Sequence, residues 1–288
     1  MTRSLVALLV ACVIANPVAA NPLDAGAPDR VALSLTGDAI VLGGAVAILG
    51  ATTVLHLAPA QCHWCAAPPA IDATLHDALL GELFSRQAAD TASNVWVGAI
   101  APGAALGAAF LATGPDASSG AGLRAAVIVI ESTAVSAAAV QSIKYFVARN
   151  RPFIQYGHAA GSAGAYDSAD ADSHLSFPSG HTAAAASFGV SAAMVASLED
   201  SRAAPYLWGA AGVLTAGAGA LRMIAEKHYF TDVLAGAALG TACGVAVPLL
   251  HRRGSLLGDA ASPGAGGTLS LSVAGRAGAQ LFAVSGTF

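Results

Sequence analysis

The chain has 288 residues, of which 55% are hydrophobic and only 10% charged, where an ordinary soluble domain carries about 25% charged residues. Its mean hydropathy of +0.64 excludes a disordered chain. A formal charge of −4 and a pI near 6.0 leave no basic footprint for nucleic acid. A bundle of membrane helices fits this composition, and a water-exposed cytosolic enzyme does not.

Residues 1–20 read as a secretory signal. Arg3 supplies the positive start, Leu5 to Ile14 the apolar stretch, and Val18-Ala19-Ala20 the small residues before a cleavage point. An uncleaved anchor is the alternative. Six charge-poor apolar runs follow: Ala39 to Ala58, Asn94 to Thr113, Ala125 to Ile143, Thr182 to Leu198, Pro205 to Leu221 and Val233 to Leu250. Each is about long enough to cross a 30 Å hydrocarbon core as a helix. Gly103/Gly107 and Gly236/Gly240/Gly244 recur at the four-residue spacing that lets helix backbones meet. A buried helical bundle in a soluble secreted protein is the rival reading.

Between the first two runs, Cys62-His63-Trp64-Cys65 reads as a local disulfide clip rather than a redox motif or half a zinc site. Leu75, Leu79, Leu80, Leu83 and Phe84 then form one apolar stripe, with Asp72, Asp77, Glu82 and Arg86 on other faces: an amphipathic helix. After the last run, 254–288 is a Gly-rich linker and tail. In it Thr268 to Val273 and Gln280 to Ser285 alternate as a small hairpin. These boundaries divide the chain into 1–20, an N-terminal region 21–92, a helical domain 93–253, and the tail 254–288.

Three clusters of ionisable residues stand at the ends of apolar runs. Lys144 and Arg151 are seven residues apart and would share one helix face that Pro152 ends; two cations there suit an oxyanion. In Phe177-Pro178-Ser179-Gly180-His181, Ser179 can cap the next helix and Gly180 lets backbone approach a ligand. The free N–H groups at that helix start would bind an anion, and His181 could donate a proton. In Arg222 to Asp232, His228 and Asp232 are four apart. On a helix the carboxylate would hold the imidazole and free its other nitrogen for attack. Snorkelling cations and a plain helix cap are the bland alternatives for the first two. His158, Asp167, Asp170, Asp172 and His174, in the loop from Phe153 to Leu175, read as solvated lid residues rather than a metal site.

Together, Lys144/Arg151/Pro152, Pro178 to His181, and Arg222/His228/Asp232 resemble the three-part signature of the type 2 phosphatidic acid phosphatase family. That family shares its site with vanadium haloperoxidases and bacterial acid phosphatases. Leu221 departs from the pattern, standing where the family usually has Ser. The resemblance spans roughly Asn94 to Leu250. It implies an all-α bundle of about six membrane helices and a phosphatase that needs no metal or other cofactor. His228 would be the nucleophile, Asp232 its positioner and His181 the general acid; Lys144, Arg151, Ser179, Gly180 and Arg222 would bind phosphate. A lipid phosphate or polyprenyl diphosphate in a bacterial-type inner membrane is the expected partner, with the site facing the periplasm. A soluble periplasmic acid phosphatase and a vanadate-dependent haloperoxidase are the alternatives.

Overall fold

A computed structural model describes residues 30–55, 57–59, 61–79, 85–112, 120–159, 166–255, 268–276 and 279–287. The leader, the end of the amphipathic segment at 80–84 and the linker at 256–267 lie outside the described residues. The fold is a helical bundle, as the apolar runs require. Its helices are α1 (Leu35–Val54), α2 (Ala70–Leu79), α3 (Arg86–Val95), α4 (Ala101–Ala112), α5 (Ala121–Val147), the short α6 (Pro152–Gln155), α7 (Gly180–Leu198), α8 (Ala204–Ile224) and α9 (Phe230–Leu250). A π-turn, Trp96–Ile100, joins α3 to α4 so that the two run on as one element. The tail forms a two-stranded antiparallel sheet, β1 (Thr268–Arg276) with β2 (Ala279–Thr287), in register Thr268↔Thr287.

Five elements are long and apolar enough to cross a membrane: Arg86–Phe110, Ala121–Val147, Gly180–Leu198, Ala204–Ile224 and Phe230–Leu250. The first predicted run is different. In α1 the apolar stretch is shorter, Thr36–Thr52, and the helix ends before Ala58.

Helix α7 is the centre, with 67% of its apolar window buried, and α9, α8, α5 and α4 pack around it. It can sit there because about two thirds of its residues are Ala, Ser or Gly, which lets neighbouring backbones close in. The glycines of α9 make the tightest contacts. A Cβ on Gly236 would fall 2.4 Å from the Ser179 carbonyl oxygen, and one on Gly240 only 2.1 Å from that of Ala183. Gly103 and Gly107 do not repeat this. A Cβ on either would meet nothing within 4 Å, so their spacing on α4 marks no close approach. Large apolar side chains such as Ile40, Phe110, Leu123, Ile130, Val213 and Leu234 face outward, as a lipid-facing surface requires.

The amphipathic reading of α2 is inverted at one position. Asp72 is 1% exposed while Ile71 points outward at 50%. The cause is pairing: Asp72 accepts from Arg149 at 2.9 Å and from the Thr231 hydroxyl at 2.7 Å. Arg86 belongs to the first turn of α3, not to the end of α2.

Candidate active site

All three motif clusters meet at one end of the bundle, where α5 and α8 finish and α7 and α9 begin. The local folding differs from the helical spacings read in the sequence. Helix α5 stops at Val147 because Ala148 is left-handed (φ 43°), and Arg151 lies beyond it in an extended conformation. Lys144 and Arg151 therefore share no helix face, and Pro152 opens α6 at its first position instead of ending α5. His228 likewise stands in the turn between α8 and α9. Asp232 is the third residue of α9, and its carboxylate caps the helix by accepting the Tyr229 N–H at 2.9 Å.

That placement changes how His228 is held. Its Nδ1 lies 2.6 Å from the Ser176 carbonyl oxygen, which fixes Nδ1 as the protonated nitrogen, while Asp232 Oδ2 is 3.8 Å away. Asp232 acts one step back. It accepts from the Ser176 hydroxyl at 2.6 Å and from Arg149 at 2.6 Å, so it positions the segment that orients His228. His228 is 2% exposed. Burial, then the charges of Arg151, Lys144 and Arg222, hold its pKa well below the usual imidazole range, so Nε2 stays a free base.

The cations converge beside it. Lys144 is 8% exposed, and its chain runs past Gly180, whose missing Cβ would stand 4.0 Å from Lys144 Cε. Arg151 is held from two sides, donating to the Lys227 carbonyl at 3.2 Å and to the Asp172 carboxylate at 2.6 Å. Burial raises the Asp172 pKa, but Arg151 and Lys144 outweigh that and leave it below the ordinary carboxylate range. Asp172 is solvent-exposed, as the loop reading has it, and is at the same time the ion-pair partner of the buried Arg151. Arg222 is anchored on Asp90 at 2.6 Å and Ser93 at 3.0 Å, while its Nε is buried without a hydrogen-bond partner among the described residues.

Ser179 is the N-cap of α7, as expected, with its hydroxyl 3.4 Å from the Thr182 N–H. Its own N–H is engaged, donating to the Asp232 carbonyl at 3.0 Å. The anion-facing donors at this helix start are therefore the N–H groups of Gly180 and His181, which have no acceptor within the helix. His181 bonds Asn94 Oδ1 through Nε2 at 2.8 Å.

Several of these partners were not assigned to the site from the sequence: Asn94, Asp90 and Ser93 on α3, Asp72 on α2, Arg149 and Ser176. Arg149 is the most connected. It is 2% exposed, bonds Asp72 and Asp232, and lies between the rings of Trp64 and Tyr229 at 4.4 and 4.0 Å. Trp64 is delivered by the Cys62–Cys65 disulfide loop, which accepts and donates backbone bonds along 148–150. Arg149 sits inside the first motif and Ser176 directly before the second, so adjacency was their only signal. For α3 there was none.

His158 is exposed, as the lid reading has it, and also reaches the buried Glu226 at 2.7 Å. Glu226 accepts from His76 at 2.7 Å and from Arg86 at 3.0 Å as well. Burial pushes its pKa up, yet these three donors bring it below the usual range.

No curated protein and no solved structure matches the chain. Residues 125–255 match the family described as the PAP2 superfamily. They hold every cation and imidazole described above except those donated by the segments before α5. A buried imidazole with one free nitrogen thus lies in the field of Lys144, Arg151 and Arg222, inside the stretch that is similar to the PAP2 superfamily, and that likeness supports a function of the phosphatase type.

Proposed function

We propose that the protein is a membrane phosphatase that hydrolyses a phosphomonoester or diphosphate of a lipid through a phosphohistidine on His228, with no metal in the reaction. The observation that carries this is the His228 geometry: Nδ1–H is committed to the Ser176 carbonyl, which leaves the Nε2 lone pair free in the field of Arg151, Lys144 and Arg222. Nε2 attacks phosphorus, and the bond from phosphorus to the leaving oxygen breaks as that oxygen takes a proton from His181. Water then attacks the phosphohistidine, giving its proton to His181, and the P–N bond breaks to release phosphate. The charge developing on the equatorial oxygens is met by Lys144, Arg151, Arg222 and the N–H groups of Gly180 and His181. Three fixed cations do here what a metal ion does elsewhere.

A lipid substrate is supported by position. The site lies where five apolar elements end, so an anionic head can enter while its chain stays in the bilayer. The Cys62–Cys65 disulfide stands at the same end, through Trp64 on Arg149, and disulfides persist in oxidising compartments. That supports a site facing the periplasm. The test is phosphate release by the detergent-purified chain from phosphatidate, phosphatidylglycerol phosphate, undecaprenyl diphosphate and p-nitrophenyl phosphate. Release from a lipid, lost in His228→Ala and inhibited by vanadate, is expected. Release from p-nitrophenyl phosphate alone defeats the lipid assignment, and indifference to vanadate defeats the site.

A further inference from the structure

Away from the phosphate site, three ionisable side chains from three parts of the bundle meet in its core. Asp38 stands in the first turn of α1, Glu131 within α5, and His251 directly after α9. They are 6%, 0% and 0% exposed. Thirteen residues separate Glu131 from Lys144 along α5, about 20 Å at the helical rise. The cluster is therefore no part of the phosphate site.

Its hydrogen bonds leave a deficit. His251 Nδ1 lies 2.8 Å from the Val247 carbonyl oxygen and donates to it. Nε2 lies 3.0 Å from Asp38 Oδ1 and 3.1 Å from Glu131 Oε2. One N–H aligns well with only one of them: it hydrogen-bonds Asp38, while Glu131 keeps an ion pair with the same nitrogen and has both oxygens buried without a well-aligned hydrogen bond among the described residues. No lysine or arginine pairs with either acid among those residues. Two carboxylates with an imidazolium leave one uncompensated negative charge, and with a neutral imidazole two. They sit beside the apolar cluster of Val31, Ile128 and Val247, where an unpaired charge is strongly disfavoured.

A divalent cation on a neutral imidazole balances the two carboxylates to zero and supplies Glu131 with a well-aligned partner. One nitrogen and carboxylate oxygens suit zinc or a neighbouring transition ion, whereas calcium and magnesium take oxygen ligands. Donors around a tetrahedral zinc stand about 3.3 Å apart, a few tenths beyond the 3.0 and 3.1 Å separations here. The bond from Nδ1–H to Val247 is the outer contact that commonly orients a ligating histidine. The geometry points to a structural zinc-class site formed by Asp38, Glu131 and His251. It fastens α1 to the end of α9, where the chain is already paired through Ala32 N–H to the His251 carbonyl at 2.8 Å. The other histidine–carboxylate group, His76, His158 and Glu226, lacks this deficit, because three donors already satisfy Glu226.

The experiment is metal analysis of the full-length protein, purified in detergent and desalted, together with thermal unfolding of chelator-stripped protein titrated with zinc. About one transition-metal ion per chain is expected, and zinc should raise the unfolding temperature of stripped wild type by several degrees. Glu131→Gln and His251→Ala should each lose that ion and the zinc-induced shift, while His228→Ala keeps both. The zinc titration of wild type decides the matter even if a core variant fails to fold. Metal-free wild type whose unfolding temperature zinc does not move overturns the site. So does a bound ion that survives Glu131→Gln and His251→Ala but is lost in His76→Ala.

Discussion

The imidazole of His181 reaches Asn94 through Nε2, and because Asn94 Oδ1 only accepts, Nε2 must carry the hydrogen. Asn94 is therefore a positioning residue for the proposed general acid. His181→Ala should slow turnover of an alkyl phosphate by about 10²–10⁴-fold and that of p-nitrophenyl phosphate far less, since nitrophenolate leaves without a proton. Asn94→Ala should show the same leaving-group bias at about a tenth of the size. Rates on both substrates for both variants check this; an equal loss on the two removes His181 from the donor role. A second expectation follows from His228. Its pKa is depressed, so it is still the free base at pH values where an ordinary histidine is protonated. The acid limb of kcat/KM assigned to this group should lie well below pH 6.5, and a pH–rate profile that falls through 6.5 in phosphohistidine formation counts against the burial argument.

At the scale of elements, α9 is pressed against α7 by Gly236, Gly240 and Gly244, whereas the glycines of α4 face open space. Gly240→Ala must push α9 away from the Ala183 carbonyl, and overpacking of this kind costs about 1–3 kcal/mol. Because Ser179 and Asp232 lie one and two turns away on the same pair of helices and share a backbone bond, the variant should lose activity as well as stability. Gly107→Ala should be neutral or stabilise by about 0.5–1 kcal/mol through helix propensity alone. Thermal unfolding of the two variants in detergent separates these outcomes; equal effects would mean the α7–α9 contact is not as close as described.

Taken whole, the molecule presents a belt of outward apolar side chains along five elements long and apolar enough to cross a membrane. It should stay with membranes through an alkaline carbonate wash and enter solution only with detergent. Recovery in the wash would return it to the soluble phosphatases. Chelation should leave initial rates of phosphate release unchanged, because in the proposed reaction Lys144, Arg151 and Arg222 supply the charge at phosphorus. The same treatment should lower the unfolding temperature through the Asp38–Glu131–His251 cluster. A rate that falls at once and returns with magnesium would contradict a metal-free reaction.

Composition and apolar run length were enough to determine a helical membrane bundle, and the three spaced motifs were enough to pick out its ionisable groups, because both signals lie in short stretches of chain. The conformations that join those groups were not legible. Lys144 and Arg151 look helical by spacing, but a left-handed Ala148 separates them; His228 and Asp232 look like one helical turn, but a cap divides them. Asn94, Asp90, Asp72 and Arg149 became part of the site only through tertiary packing. Their partners lie 77 to 132 residues away, and no local pattern encodes a contact at that separation. Asp72 shows the reason most plainly: its sequence neighbours favour an exposed face, and it is buried because Arg149 and Thr231 arrive from elsewhere to pair it.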